Sequence, residues 1–480
     1  MKNPSVIIIG AGVAGIAAGT KLLENSIENV LILEAEDRIG GRIHSMEFGD
    51  SFVELGAEYC HGEKNNITYE LAKDLDVLEP GVEPMDEHIY YSNGSKLDCE
   101  FIQELRTLIL DYQINEIDNN NTKGNSIGKC FMQRYNSTVL KKYGSNEEYE
   151  QILKEGVRFA EGYILMVEGT FSWEDSSAES SYIVCEGDQS LVWKKPGYKT
   201  LLDILIGSYP DSNKRKLPHN KIRLNTKVEK ICWDQKNNTV RVITSDKICH
   251  SADYVIFTPS LGVLKQNKDT LFHPPLPLSK QEALEATDMG GVMKVVIRFP
   301  EKWWKSEDRA FSFFWSDEDL NRIDFTEGPK SNGVSWVAQF RDISQVLHNA
   351  NVWIGWFGGD LIPEIEKLSN DVLKRGCQYV LDKFLSRDYD VGNIDTIIAT
   401  KWCTSPNFEG AYSYVKNGKY KENLTYQEEL GQPLRNDDGK PMVLFAGEAT
   451  SSTHYATVHG AIETGFREAK RILEFQGRSS

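Results

Sequence analysis

No uninterrupted apolar run in the 480 residues reaches the roughly 18 needed to cross a bilayer, so no membrane span is expected. No Cys-x-x-Cys pair occurs among the eight scattered cysteines, Cys60, Cys99, Cys130, Cys185, Cys232, Cys249, Cys377 and Cys403. Their scatter argues against a zinc site or a redox dithiol and mildly for a reducing compartment; no metal is expected. Basic charge is scarce, with 54 Lys and Arg against 71 Asp and Glu, a net charge of −17. That balance disfavours nucleic acid and anionic membranes as partners and attracts small cations, although acidic surfaces also serve solubility. There is no internal repeat and no recognisable acid–base triad. The first apolar stretch has no charged leader, and the final GRSS is not a peroxisomal signal, so the cytoplasm is the expected compartment. Six N-x-S/T sequons, at Asn66, Asn93, Asn120, Asn136, Asn237 and Asn423, keep secretion as the alternative.

What is present begins at residue 6. Val6 to Ile9 is a short β-branched run, long enough for a buried parallel strand and too short for a helix. Gly10, Gly12 and Gly15 follow as G-x-G-x-x-G. The first permits a tight turn, the second lets a pyrophosphate approach the backbone, and the third lets the next helix pack close to the strand. Ile16, Leu22 and Leu23 mark one side of that helix, whose N-terminus offers free N–H groups and a positive dipole end to phosphate. Val30 to Leu33 reads as a second strand, and Glu34 at its end suits a ribose diol. NAD and FAD both fit this fingerprint. Directly after it, EAEDRIGGR supplies Arg38, Gly40, Gly41 and Arg42: two more glycines for close approach and two arginines for phosphate or a flavin edge.

This continuation, E-A-x-x-R-x-G-G-R, resembles the signature of the flavin-containing amine oxidases, which include monoamine, polyamine and L-amino-acid oxidases and the flavin-dependent histone demethylases. The resemblance implies FAD and a mixed α/β (α+β) fold in which a discontinuous Rossmann-like FAD-binding domain is interrupted by a substrate domain of mixed sheet and helices. Two domains also suit the length. The expected partition is 1–64, 196–275 and 400–480 for FAD, and 65–195 and 276–399 for substrate. The resemblance implies cofactor contacts at Gly10, Gly12, Ala14, Gly15, Glu34, Ala35, Arg38, Gly41 and Arg42. It implies others at Gly56, Ala57 and Glu58, at Val228 beside the adenine, at Trp402, and at Gly447, Glu448, Thr457 and Val458.

Further along, IRLNTKVEKICWD carries Ile222, Leu224 and Val228 in a near-alternating strand pattern, and Tyr254 to Thr258 reads as a buried strand closed by Pro259. Val443 to Ala446 reads as the last strand, and Ala461, Ile462, Gly465, Phe466, Ala469, Ile472 and Leu473 mark one face of a terminal helix. Polar stretches at 116–128, 210–220 and 431–441 read as surface loops.

Met293 to Phe299 reads as a strand in which Lys294 stands among apolar neighbours, a costly position unless the ammonium finds water, a partner or a cavity. An edge-strand lysine reaching solvent is the plain reading. Gly290 to Lys294 matches the family's G-x-x-x-K, which implies that Lys294 holds a water near flavin N5. LGAEYCHGE resembles the G-A-x-W-x-H-G stretch of animal polyamine oxidases and matches His61 to their active-site histidine; Glu58 and Tyr59 stand where tryptophan is common. His61 or Glu58 would bind a distal ammonium or help keep the reacting amine neutral. In KWCTSPNFEGAYSYV, the family implies Trp402 beside the isoalloxazine and Tyr412 on the substrate wall. Ala411 occupies the position of the cysteine that binds FAD covalently in monoamine oxidases, so non-covalent FAD is expected. HYATVHG puts Tyr455 and Thr457 on the substrate wall, as in animal spermine oxidases. Trp303, Trp304, Trp353 and Trp356 read as plain core.

The expected function is FAD-dependent oxidation of polyamines, spermine or N1-acetylated polyamines, at a carbon beside a secondary amine. Products would be a shorter amine, an aminoaldehyde and hydrogen peroxide, with oxygen as electron acceptor. Lys294 and His61 are the expected catalytic residues. An L-amino-acid or other primary amine oxidase and a catalytically weakened flavin-fold binding protein are the alternatives. The oligomeric state is left open.

Overall fold

The computed structural model describes residues 3–82, 87–114, 122–234, 236, 238–419 and 424–478. A six-stranded sheet runs Leu434–Arg435, Pro441–Phe445, Tyr254–Phe257, Val6–Ile9, Val30–Leu33, Ile222–Arg223 and is parallel except at its first edge. Val6 pairs with Tyr254 on one side and Val30 on the other. All four residues of Val6–Ile9 are buried, because the strand packs on both faces. Val6 and Ile8 meet the first helix, Val13–Glu24, and the terminal helix, Val458–Phe475. Ile7 and Ile9 meet Phe257, Leu261 and Phe272 on the opposite face.

The strand expected over the Ile222 to Val228 stretch divides. Asn225 takes the left-handed conformation at φ 52°, which Asn tolerates better than most residues. The Asn225 and Thr226 N–H groups bond the carbonyls of Glu36 and Glu34. Ile222–Arg223 therefore ends the parallel sheet, while Val228–Cys232 enters a four-stranded sheet with Val240–Thr244, Cys249–Ala252 and Phe272–His273. The other expected strands shift by about a residue at their ends, within ordinary fraying. Of the loop expected at 116–128, residues 116–121 lie outside the described residues, and Ile127 already opens the helix Ile127–Tyr135. Asn120, Asn237 and Asn423 also lie outside them. Asn66 is fully buried, caps the helix Ile67–Ala72 and donates to the His61 carbonyl, so it is not a glycan acceptor in the folded chain.

A second six-stranded sheet runs Thr396–Ala399, Val292–Arg298, Val352–Gly358, Phe340–Gln345, Ala310–Phe314, Glu87–Tyr91. Met293, Val295 and Ile297 pack against Trp336, Phe357 and the helix Asn370–Leu385. Val296, on the other face, meets Val53 and Leu55 from the chain leaving the parallel sheet. Lys294 shares that second face by strand alternation. Its strand is paired on both sides, so the edge-strand reading is wrong. Helices Glu100–Ile114, Ile127–Tyr135 and Glu150–Glu168 form a further layer around Phe101, Phe131 and Ile164. Among the described residues no helix is long and apolar enough to cross a membrane.

Candidate active site

The site begins where the parallel sheet meets the first helix. A Cβ on Gly15 would lie 2.1 Å from the Gly10 carbonyl oxygen, so only glycine lets the helix approach the turn this closely. Gly12, the cap of that helix, has no side-chain hydrogen bond across its free N–H groups. A Cβ on Gly41 would lie 3.2 Å from the Gly12 Cα, so two bare backbones meet here and leave the cradle open to a ligand. Glu34 is buried beside the cradle; Oε2 accepts from the Ala11 N–H at 2.6 Å and Oε1 from the Glu36 N–H at 2.8 Å. Burial raises its pKa, and these two bonds oppose the rise. Each oxygen keeps a further lone pair for an outside donor. Arg38 turns inward, donating to the carbonyls of Gly41 at 2.8 Å and of Ile39 and Ile43 at 3.2 Å, and so sets the shape of the glycine loop. Arg42 donates to the Ala411 carbonyl at 2.7 Å and pairs with Glu448 at 2.9 Å. The other Glu448 oxygen accepts from Ser413 and from the Ala456 N–H, tying the first loop to the last segments.

Lys294 lines the same cavity as the cradle. Its ammonium donates to Glu58 at 2.6 Å, to the Gly56 carbonyl at 2.8 Å and to the Glu54 carbonyl at 3.3 Å, and it lies 4.4 Å from the Trp356 ring centroid. All three N–H donors are thus engaged, one of them by a carboxylate that holds the ammonium in place. Trp356 lines the cavity under this lysine, which corrects the expectation that it is plain core; Trp304 and Trp353 are buried core as expected, and Trp303 stacks on Trp353 and meets Trp304 edge-on. The Trp402 indole donates to the Leu55 carbonyl at 3.1 Å, fixing its ring on the wall beside Ala411. His61 lines the cavity as an exposed side chain of its wall, with Nδ1 2.9 Å from the Gln189 carbonyl. The Thr457 hydroxyl is committed as a helix cap, bonded to the Gly460 N–H and the His454 carbonyl, so it offers the cavity its methyl group more than its oxygen.

Glu168 was not expected from sequence. It ends the helix Glu150–Glu168, which closes at Gly169 with φ 65°. Tyr412 packs against Gly169, and its hydroxyl donates to the Val167 and Met166 carbonyls at 2.9 and 3.1 Å. Enclosure pushes the Glu168 carboxyl up to about 7. Tyr182, Tyr412 and Tyr455 line the same cavity and are near enough to feel its charge. The signal available in the sequence was an acid closing the otherwise apolar run from Tyr163 to Val167.

These parts line one continuous cavity of about 2050 Å³, shared by Gly10, Gly12, Ala14, Glu34, Gly41 and Arg42, by Gly56, Ala57, Glu58, Lys294 and Trp402, and by Glu168, Tyr412 and Tyr455. Gly447, Glu448, Thr457 and Val458 also line it. Gly15, Ala35, Arg38 and Val228 do not: Gly15 and Arg38 shape the cradle from behind, and Val228 packs beside the core under the parallel sheet. The volume is about twice that of a large single-ligand pocket, enough for an extended dinucleotide and a second molecule.

A family model, flavin containing amine oxidoreductase, matches residues 13–473. The chain belongs to this family. It is 29% identical to probable polyamine oxidase 5 of Arabidopsis thaliana over 98% of both chains. It is 28% identical to polyamine oxidase 1 of Oryza sativa over 98% of both, and 26% identical to the Homo sapiens peroxisomal N(1)-acetyl-spermine/spermidine oxidase over 98% of this chain and 95% of that one. As a flavin-containing amine oxidoreductase the chain needs a flavin, and the cradle fits one. Gly12 and Gly41 leave bare backbone that suits a pyrophosphate, Glu34 has lone pairs left for a ribose, and Trp402 and Lys294 line the same cavity.

Proposed function

We propose that the protein is an FAD-dependent polyamine oxidase that binds its cofactor non-covalently. The observation that carries the reading is the chemistry of the substrate end. Glu168, Glu179 and Asp188 line it; Glu58 is already paired with Lys294, the other lysines on the wall are Lys123 and Lys419, and the only arginine there among the described residues is Arg42, already paired with Glu448. Such a wall suits a cationic amine and has no free guanidinium for an amino-acid carboxylate, which disfavours the L-amino-acid oxidase reading. The relatives named as polyamine oxidases support the same substrate class.

When bound, FAD supplies the two-electron acceptor chemistry. The residues of the chain do the rest. Glu168, with Tyr182, Tyr412 and Tyr455 around it, takes a distal ammonium and sets how far the substrate enters. His61, whose Nδ1 is held by the Gln189 carbonyl, keeps Nε2 to accept a hydrogen bond from the substrate. Lys294 supplies the local positive charge for electron transfer to oxygen, and Glu58 fixes its position. In the net reaction a carbon beside a secondary amine loses two electrons to oxygen, giving hydrogen peroxide. Water then releases an aminoaldehyde and a shorter amine. Ala411 on the wall supports non-covalent binding, since no cysteine among the described residues lines the cavity. The domain partition we propose is the expected one, with residues 1–64, 196–275 and 400–480 serving FAD. A cytoplasmic location suits eight cysteines none of which forms a disulfide among the described residues.

Peroxide release from spermine, N1-acetylspermine, spermidine, tyramine and leucine tests the substrate class. Turnover of the polyamines, with tyramine and leucine inert, is expected; preferred oxidation of leucine would overturn the reading. Yellow supernatant after acid denaturation is the expected sign of non-covalent FAD, and flavin remaining with the precipitate would refute it.

A further inference from the structure

Beside the substrate end, three metal-ligating side chains from two distant segments meet in the interior. Cys185 lies in the extended segment before the strand Leu191–Trp193, His454 in the loop after Glu448–Thr450, and His459 in the first turn of the terminal helix. All three are buried, at 3%, 9% and 3% exposure. The Cys185 Sγ is 3.9 Å from Nε2 of His454 and 3.9 Å from Nε2 of His459, and the three atoms lie within 4.8 Å of one another. In a tetrahedral zinc site with Zn–S about 2.3 Å and Zn–N about 2.0–2.1 Å, sulfur and nitrogen stand about 3.6 Å apart. The two sulfur–nitrogen distances need to close by only a few tenths of an ångström, and the two imidazole nitrogens, within 4.8 Å of each other, by up to about 1.5 Å to reach the roughly 3.3 Å of a tetrahedral site.

The surroundings favour ligation over chance proximity. Nδ1 of His454 is 2.8 Å from the Glu463 carboxylate, one helical turn beyond His459. That bond puts the proton on Nδ1 and turns the Nε2 lone pair toward Cys185, the arrangement of a carboxylate–histidine–metal triad. The segments are also clamped independently of any ion. The Ile183 N–H bonds the Thr453 carbonyl at 2.8 Å, and Ser181 bonds the Ser452 carbonyl at 2.5 Å. A Cβ on Gly460 would fall 1.9 Å from the His454 carbonyl oxygen, and one on Gly62 2.3 Å from that of Cys185. The ligands are therefore held before an ion arrives.

We propose that Cys185, His454 and His459 form a tetrahedral binding site for a zinc-class divalent ion. Sulfur with two imidazoles suits Zn²⁺ over Mg²⁺ or Ca²⁺, and three protein ligands leave the fourth position to water. Binding replaces the thiol proton, which passes to solvent, by a sulfur–metal bond. His459 also lines the large cavity, with Tyr182 and Ile183 beside it, so the ion pins the wall of the substrate end to the terminal helix.

The test uses flavin-loaded protein with exposed Cys249 replaced by Ser, stripped with a chelator, incubated with Zn²⁺ and gel-filtered before elemental analysis. One equivalent per chain is expected, falling below about a tenth in Cys185→Ser and in His454→Ala, while Glu463→Gln weakens affinity about 10- to 100-fold. Flavin content and melting temperature show that each variant is folded. Co²⁺ gives a second measurement needing no ligand variant: tetrahedral, thiolate-ligated cobalt absorbs strongly to the red of the flavin bands. Zinc absent from the parent protein, zinc retained equally by Cys185→Ser, or a weak octahedral cobalt spectrum would each overturn the proposal.

Discussion

The two ends of the cavity are built by different physics. At the cradle, the open surface is largely backbone, from one stretch of about forty residues around Gly10, Gly12 and Gly41, with the side chains of Glu34 and Arg42 beside it. At the substrate end, the groups are side chains from segments far apart in sequence: Glu58 and His61, Glu168, Lys294 and Trp356, Trp402 and Tyr412, and Tyr455. The first end is made by sterics, where a missing Cβ is the essential feature. The second is made by charge enclosed in a cavity, where a carboxylate has meaning only through what faces it. Substitutions at the cradle should therefore act on binding and folding, and substitutions at the far end on rate and pH dependence.

The largest expected effect is at Lys294. Lys294→Met should slow reoxidation of the reduced flavin by roughly 10- to 1000-fold, the loss that follows removal of one electrostatic group from an enclosed site. It also strands Glu58, so the double variant Lys294→Met with Glu58→Gln should regain melting temperature without regaining rate. Stopped-flow absorbance separates the two, and reoxidation at the parent rate would reduce Lys294 to a structural residue. At the cradle, Gly15→Ala drives a methyl into the Gly10 carbonyl and should cost about 1–3 kcal/mol of stability with lower flavin content, measured by denaturant unfolding and absorbance ratio. Glu34→Ala should weaken FAD binding by about 1–3 kcal/mol in fluorescence titration and leave the turnover of saturated enzyme nearly unchanged. If that turnover fell instead, the contrast between the ends would break.

The smallest effect sharpens the far end. Glu168→Gln should raise KM for spermine about tenfold with little change in kcat, the loss of one charge-assisted hydrogen bond. In the parent enzyme the Glu168 carboxyl, raised to about 7, is neutral below that pH, so KM should fall as pH rises through 7, and the variant should lose this inflection. The sign for stability is opposite. A carboxyl with its folded pKa above the ordinary 4.5 contributes stability that is present below 4.5 and lost as pH rises to about 7. Glu54, bonded to Ser45 and the Tyr198 N–H near Lys294 and Glu58, is also raised to about 7 by burial and acts in the same direction. Melting curves of the free protein between pH 5 and 8 should therefore be flatter in Glu168→Gln, and flatter again with Glu54→Gln added.

The sequence by itself determined the parallel sheet, the cradle and the flavin family, because each depends on local rules: β-branched runs for buried strands, glycines for a close backbone, an acid at a strand end. It also marked Lys294 as anomalous, since a lysine among Met293, Val295 and Val296 must find a partner. Only the tertiary structure decided what that partner is. Glu58 lies far away in the chain, and the pairing depends on how the face of Val292–Arg298 that carries Val296 packs on Val53 and Leu55. The same holds for Trp356, which shares the apolar look of Trp353 yet faces the cavity while Trp353 faces the core, the ordinary outcome of strand alternation when both faces are covered. It holds for Glu168, whose charge state is set by enclosure, and for Cys185, His454 and His459, which no spacing connects. Local backbone geometry is written in short windows of sequence; the field around a side chain is a sum over neighbours that only the folded chain brings together.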